Sequence, residues 1–545
     1  MSKKFRIKKT LNIGSPDAET DELLFDVYVK SQILEEVINT RSQKSILLGR
    51  TGSGKSAIIK YIEKKCLNVT RIEPESLSLR YLSNSTVLSY FKSLGINLNL
   101  FFKVLWKHVF VVELLKLYFP NDYEKEQKNI WIQNIKEALF KRLGRIDPKK
   151  EKALKYLDNW ADKFWLDTEY QIKELEKSLV EGLCAKTGLT IKDIGLALDQ
   201  SSEAKTISRT EIKHKAESVI HEVQSKELIE IIGIMKSDLF TDHQKKFFIL
   251  IDDLDKEWIE TEFKYALIDA MVEVVKEFRQ FQGAKIVISL RENLSDLLKL
   301  GSLHEGGQRE KLKPLYANLT WDEEELTDFV DARLRNITEN NLDVSRAFYE
   351  TRRTGETGFK YVLDRTYMRP RDLISFVNCA IQKANSKTLF TKDIIHKAEV
   401  PYSTDRFEAL EDEWRENYGE IGLLTPFLNG ISDGFRLKSL NENHFENIYL
   451  EIDADYNFRG SLKKVVEEWK NDEIKFVVFL KRILFILYHI GIVGIKKGPT
   501  FPTSFYYDEI TIRKEDISNN NKFYVHPSLY SHFKVNTMEQ LPEEN

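Results

Sequence analysis

Apolar residues fall along this chain in two rhythms. Unbroken runs occur at Ser45-Ile46-Leu47-Leu48, at Phe247-Phe248-Ile249-Leu250-Ile251 and at Ala284-Lys285-Ile286-Val287-Ile288-Ser289-Leu290. Such runs predict strands buried on both faces of a parallel sheet. Val69–Pro74 and Pro314–Thr320 add two more expected strands. Elsewhere the apolar positions recur at helical spacing. Helices are expected over Ser15–Asn39 behind a Ser15-Pro16-Asp17 cap, from Ala57, over Trp258–Gln280, and from Thr320 to about Ala398. The long stretch Ser83–Thr241 carries Lys/Glu pairs at helical spacing and few glycines or prolines. It predicts an inserted helical subdomain anchored by Trp106, Trp131, Trp160 and Trp165.

The pattern changes after Pro401. A charged helix over Asp405–Tyr418 leads into turns near Gly430 and Gly434. Helices follow at Ser461–Lys470 and Asp472–Ile490, the second ended by Gly491. Strands are expected near Ile492–Pro499, Thr503–Tyr507 and Lys522–Pro527. This order resembles a winged helix. The predicted division is 1–82 and 242–320 for an α/β core, 83–241 for the helical insertion, 321–400 for a helical lid, 401–459 for a helical linker and 460–545 for the winged-helix-like part.

Chemistry concentrates at the ends of the predicted strands. Gly49-Arg50-Thr51-Gly52-Ser53-Gly54-Lys55-Ser56 follows the first strand and opens a helix. Strand, glycine loop and helix are the context of a phosphate-binding loop. Its amides would converge on phosphate, with Lys55 on the β- and γ-phosphates and the Ser56 hydroxyl on Mg²⁺. Asp252-Asp253-Leu254-Asp255 ends the third strand, a Walker B pattern. Asp252 would hold Mg²⁺, Asp253 would orient or deprotonate water, and Asp255 would support them. Arg291 ends the next strand, where it would either sense the γ-phosphate or pair with one of these aspartates. Arg371 opens a helix at Tyr367-Met368-Arg369-Pro370-Arg371-Asp372. It would either reach the γ-phosphate from a lid or form a capping pair with Asp372. Arg309 reads as a surface arginine, or as a residue acting across a ring interface.

Composition narrows the field. The 545 residues are 42% hydrophobic, enough for several packed domains. A formal charge of −3 gives no global bias toward nucleic acid or acidic membrane. Cys66, Cys184 and Cys379 are far apart and lack metal spacing, so they read as core thiols of a reducing, cytoplasmic compartment. No signal-peptide pattern opens the sequence. Leu98–Phe119 is the most apolar helix candidate of the first half, but its Lys103, Lys107, His108, Glu113 and Lys116 argue against a membrane span.

In order and spacing these motifs resemble the AAA+/STAND branch of P-loop ATPases, closest to KAP-like bacterial NTPases. The Asp-Asp-Leu-Asp run, the Pro370-Arg371 helix start and the later Phe376-Val377-Asn378 carry the resemblance, which covers about Ser15–Ala398. It implies an α/β P-loop ATPase core, ATP and Mg²⁺ as cofactors, and hydrolysis that acts as a conformational or assembly switch. It also implies a regulatory place in a bacterial multi-protein system, antiviral defence among them. The expected partner is a second copy or a separate effector protein. Two further readings stand beside the switch: a nucleotide-gated scaffold with little turnover, and an ATP-dependent DNA binder using Lys475, Lys481, Arg482, Lys496, Lys497, Arg513 and Lys514. The apolar run Phe476–Leu487 favours protein packing over DNA.

Overall fold

The computed structural model describes residues 5–76, 98–119, 135, 147–160, 170, 225–256, 258–259, 261–294, 309–350, 357–419, 421–445, 461–508 and 512–537. The expectations for Trp131, Trp165, Cys184 and the Arg309 side chain lie outside these residues. The chain forms two bodies. One comprises residues 30–50 and 55–319, the other residues 1–29, 51–54 and 320–545.

The first body is built on a five-stranded parallel sheet. Its strands are β1 (Ile46–Gly49), β2 (Asn68–Ile72), β3 (Phe247–Ile251), β4 (Ala284–Arg291) and β5 (Tyr316–Asn318). Their order is β2-β3-β4-β1-β5, and every pairing is parallel. β3 is buried at all five positions, as its unbroken apolar run demands. Among the described residues the body also holds helices α1 (Gln32–Ile38), α2 (Lys55–Lys65), α3 (Asn99–Tyr118), α4 (Pro148–Trp160), α5 (Ser225–Ile234) and α6 (Thr261–Phe278). A parallel sheet flanked by helices, with the glycine loop between β1 and α2, resembles the P-loop ATPase fold.

Helix α3 explains its own charges. Its apolar residues Phe102, Leu105, Phe110, Leu114 and Leu115 enter the core with those of α6. Lys103 pairs with Glu273, and Lys107 pairs with Glu277 at 2.6 Å, both acids on α6. The buried Trp106 donates to the Leu267 carbonyl at 2.9 Å. Trp160 is only half-buried and donates to Glu227. Among the described residues no helix is long and apolar enough to cross a membrane.

Lys285 on β4 caps α1. Its Nζ donates to the carbonyls of Glu36 at 3.0 Å and Asn39 at 2.8 Å. Burial pulls the ammonium down to about 7, opposed by Glu36. An unfolded lysine titrates near 10.5. Between these values the unfolded chain binds more protons, so this group makes stability rise with pH, by at most about 1.4 kcal/mol per unit. The unfolding free energy of the wild type minus that of Lys285→Met should therefore climb from pH 7 to pH 10. A difference that stays flat in denaturant titrations contradicts this.

The second body holds helices α7 (Glu323–Ile337), α8 (Gly358–Asp364), α9 (Pro370–Lys383) and α10 (Lys392–Tyr418). They are followed by α11 (Ser461–Lys470), α12 (Phe476–Ile490) and an antiparallel pair, β6 (Val493–Lys496) with β7 (Lys522–Val525). Asp322 caps α7 in a reciprocal box with Glu325. Three expectations change here. The segment from Ser15 is a series of turns, and only α1 is helical in the Ser15–Asn39 window. The Asp21 carboxylate causes this. Its oxygens accept from the Ser15 and Leu23 amides and from the Arg333 guanidinium, both side chains being buried. An aspartate bonding local amides competes with helix formation. Second, α10 runs straight through Pro401. Stacking of Tyr402 on Phe376, centroids 4.5 Å apart, and burial of Ala398 hold it there against the lost backbone bond. Third, the strand expected at Thr503–Tyr507 is a single bridge between Ser504 and Ile495.

Candidate functional site

The glycine loop leaves β1 at its C-terminal end. Gly52 and Gly54 take φ of +80° and +101°, which a side chain resists. The conformation alone calls for glycine at 52, and so does space: a Cβ there would stand 2.6 Å from the Cβ of Arg371. The first turn of α2 begins at Lys55, whose ammonium is buried and donates to the carbonyls of Gly49 at 2.8 Å and Arg50 at 2.9 Å. The hydroxyls of Thr51 and Ser53 are buried without a hydrogen-bond partner. Ser56 follows in the same first turn, half-buried. Buried hydroxyl donors at Thr51 and Ser53 and a buried cation at Lys55 are groups of the kind that suit an oxyanion.

The acids lie at the same end of the sheet. β4 lies between β1 and β3, with Ile288 level with both Ile46 and Ile251. Asp252, the next residue after β3, is 4% exposed. Its Oδ2 makes no hydrogen bond and sits 4.0 Å from the Arg71 guanidinium. A buried carboxylate oxygen left unbonded is costly, and a divalent cation answers that need. A carboxylate such as that of Asp252 and a hydroxyl such as that of Ser56 are oxygen donors of the kind that Mg²⁺ takes.

Asp253 is held differently. Its backbone is left-handed at φ 61°. Its Oδ2 accepts from Arg71 at 3.3 Å and from Lys256 at 3.0 Å. That bond, against some desolvation, holds the Lys256 ammonium above its ordinary value. Arg71, on β2, was not among the expected site residues. Nothing local marks it, because its partner Asp253 lies 182 residues away. Arg291 pairs with Asp255 at 2.6 Å, one of the two alternatives open to it.

In the second body Arg371 does not pair with Asp372. Its Nε donates to the Pro16 carbonyl at 3.1 Å, and its backbone N–H meets the Gly52 carbonyl at 3.4 Å. Burial, then the charges of Arg369 and Arg406, pull Arg371 below the usual guanidinium range. Asp372 instead takes Arg369 at 3.1 Å and Arg406 at 2.8 Å.

Comparison with known proteins gives distant likenesses. A family model described as the FunZ-associated C-terminal helical domain matches residues 324–411, from α7 into α10. The chain is 22% identical over 561 residues to the putative transposon gamma-delta 80.3 kDa protein of Escherichia coli strain K12, covering 98% of this chain and 69% of that one. Among solved structures it is similar to a Walker-type ATPase of Pyrococcus abyssi, at 11% identity and a TM-score of 0.35, covering 94% and 97% of the two chains. It is also similar to the ORC2 protein of Aeropyrum pernix, solved as ADPNP-ADP complexes, at 12% identity and a TM-score of 0.32 over 94% and 95%.

Proposed function

We propose that this chain binds ATP with Mg²⁺ at the Gly49–Ser56 loop, hydrolyses it, and uses the nucleotide state as a conformational or assembly switch. The observation that carries this reading is the buried, unbonded Asp252 oxygen at the same sheet edge as a glycine loop with a buried lysine. On binding, Lys55 would exchange the Gly49 and Arg50 carbonyls for phosphate oxygens, a stronger charge-assisted pair. Ser56 and Asp252 would hold Mg²⁺, which supplies neutralisation of charge on the phosphates. Asp253 would orient the water, once released from Arg71 and Lys256. Arg291 and Arg371 would respond to the terminal phosphate; an anion beside Arg371 offsets the cost of its buried charge.

The double hold on Asp253 supports a second reading, a scaffold that binds ATP and turns over slowly. For the C-terminal part, the helix pair α11–α12 followed by β6–β7 supports a winged-helix-like module that packs on protein. The buried Phe479, Leu480, Ile483, Leu484 and Leu487 of α12 support protein packing over DNA. Its partner would be a second copy of this chain or a separate effector. The name of the Escherichia coli relative makes mobile DNA one setting in which to seek that partner.

Titration calorimetry of the full chain with ATP, with and without Mg²⁺, tests the proposal. Saturable heat that strengthens with Mg²⁺, together with phosphate release, is expected. Absence of any ATP binding would end both readings; binding without phosphate release would select the scaffold.

A further inference from the structure

The second body contains a buried charged cluster that the proposed chemistry does not use. Arg369 is the N-cap residue of α9, just before Pro370, and is 2% exposed. Its Nε and Nη2 lie 3.1 and 3.2 Å from the two oxygens of Asp372. Its Nη1 donates to the backbone carbonyl of Thr51, at 2.6 Å, in the middle of the glycine loop. Asp372 is also bonded by Arg406 of α10 and by the Tyr367 amide. Burial would raise the Asp372 carboxyl, but the two arginines hold it below the ordinary range. The guanidinium is therefore held on one side by Asp372, while its Nη1, 3.9 Å from the Glu413 carboxylate, donates to the loop carbonyl of Thr51.

The cluster extends beyond the loop. The Arg369 guanidinium stands over the Tyr367 ring at 5.1 Å. Tyr367 stacks on His526, centroids 4.1 Å apart, and donates its hydroxyl to the Gly491 carbonyl at 3.2 Å. His526 follows β7, and Gly491 ends α12. The stacked rings thus join Arg369 to residues more than 100 positions further along the chain.

We propose that Arg369 is a positioning residue for the phosphate loop: its guanidinium, braced by Asp372 and by the Tyr367–His526 stack, fixes the Thr51 peptide. An arginine so immobilised holds its acceptor at small entropic cost, and a lysine lacks the second arm needed to reach Asp372 and Thr51 together. The consequence for nucleotide affinity rests on the ATP reading given above; the consequence for the loop's own order does not.

The test uses the full chain and two readouts. Arg369→Met alone would leave Asp372 with Arg406 and the Tyr367 amide but without its bidentate partner, so Arg369→Met/Asp372→Asn, which removes both charges of the pair, guards against misfolding. Hydrogen exchange of the peptide spanning residues 49–56, without nucleotide, should quicken at least several-fold in this double variant, and less in Arg369→Lys. Binding of a fluorescent ATP analogue should weaken about tenfold in the double variant, the loss matching one hydrogen bond to a charged group, with partial rescue in Arg369→Lys. Loop exchange unchanged in a folded double variant overturns the proposal. So does quickened exchange with unchanged affinity. If the wild type binds no ATP analogue, the nucleotide reading fails, and faster loop exchange still supports the clamp.

Discussion

Replacing Lys55 with alanine is expected to reduce phosphate release to background, a fall of about 10²-fold or more. The buried ammonium donates to two loop carbonyls, those of Gly49 and Arg50. A backbone carbonyl is a weaker partner than a phosphate oxygen, so the charge is poised to be recruited as ligand arrives. Alanine removes the cation, and the two carbonyls lose their donor, so some loss of stability accompanies the loss of activity. Circular dichroism melting separates the two effects. Undiminished phosphate release from a folded Lys55→Ala protein would show that turnover, if any, belongs elsewhere in the chain.

Asp252→Asn should separate function from stability in the opposite way. The wild-type carboxylate is buried, and one of its oxygens makes no hydrogen bond. Its nearest cation, Arg71, stands at the limit of ion-pair distance. Neutralising such a group relieves desolvation, so the melting temperature should hold or rise. Mg²⁺-dependent strengthening of ATP binding should fall by at least about 10–100-fold, the range seen when even an outer partner of a metal is removed. Calorimetry with and without Mg²⁺ reads this directly. A variant that melts several degrees lower, with Mg²⁺ dependence intact, would identify Asp252 as a structural acid.

The loop and the acids were legible because each is local. A glycine loop after a strand is written in eight consecutive residues, and the Asp252–Asp255 run ends five apolar ones. The sheet followed, since fully buried parallel strands announce themselves as unbroken apolar runs. What could not be read was any contact made across the chain. Arg71 meets Asp253 over 182 positions, and Arg369 meets Thr51 over 318. A solvated arginine has the same local signature. The turns after Ser15 misled for a related reason. Their apolar side has helical spacing, but Asp21 is claimed by distant Arg333, which fixes a non-helical backbone. Pro401 misled because its penalty is local, whereas the stacking that outweighs it comes from α9.

The left-handed backbone at residue 253 also acts as a filter on what evolution or a designer can install there. Asparagine, aspartate and glycine enter that conformation readily; longer side chains do so at a cost of about 1–2 kcal/mol. A glutamate would lengthen the reach of the carboxylate only by straining the peptide that carries it. Glu339, Met368 and Lys534 show that the chain tolerates such a cost elsewhere, so a library that samples all twenty residues at 253 should be enriched in asparagine, aspartate and glycine among its most stable clones rather than confined to them.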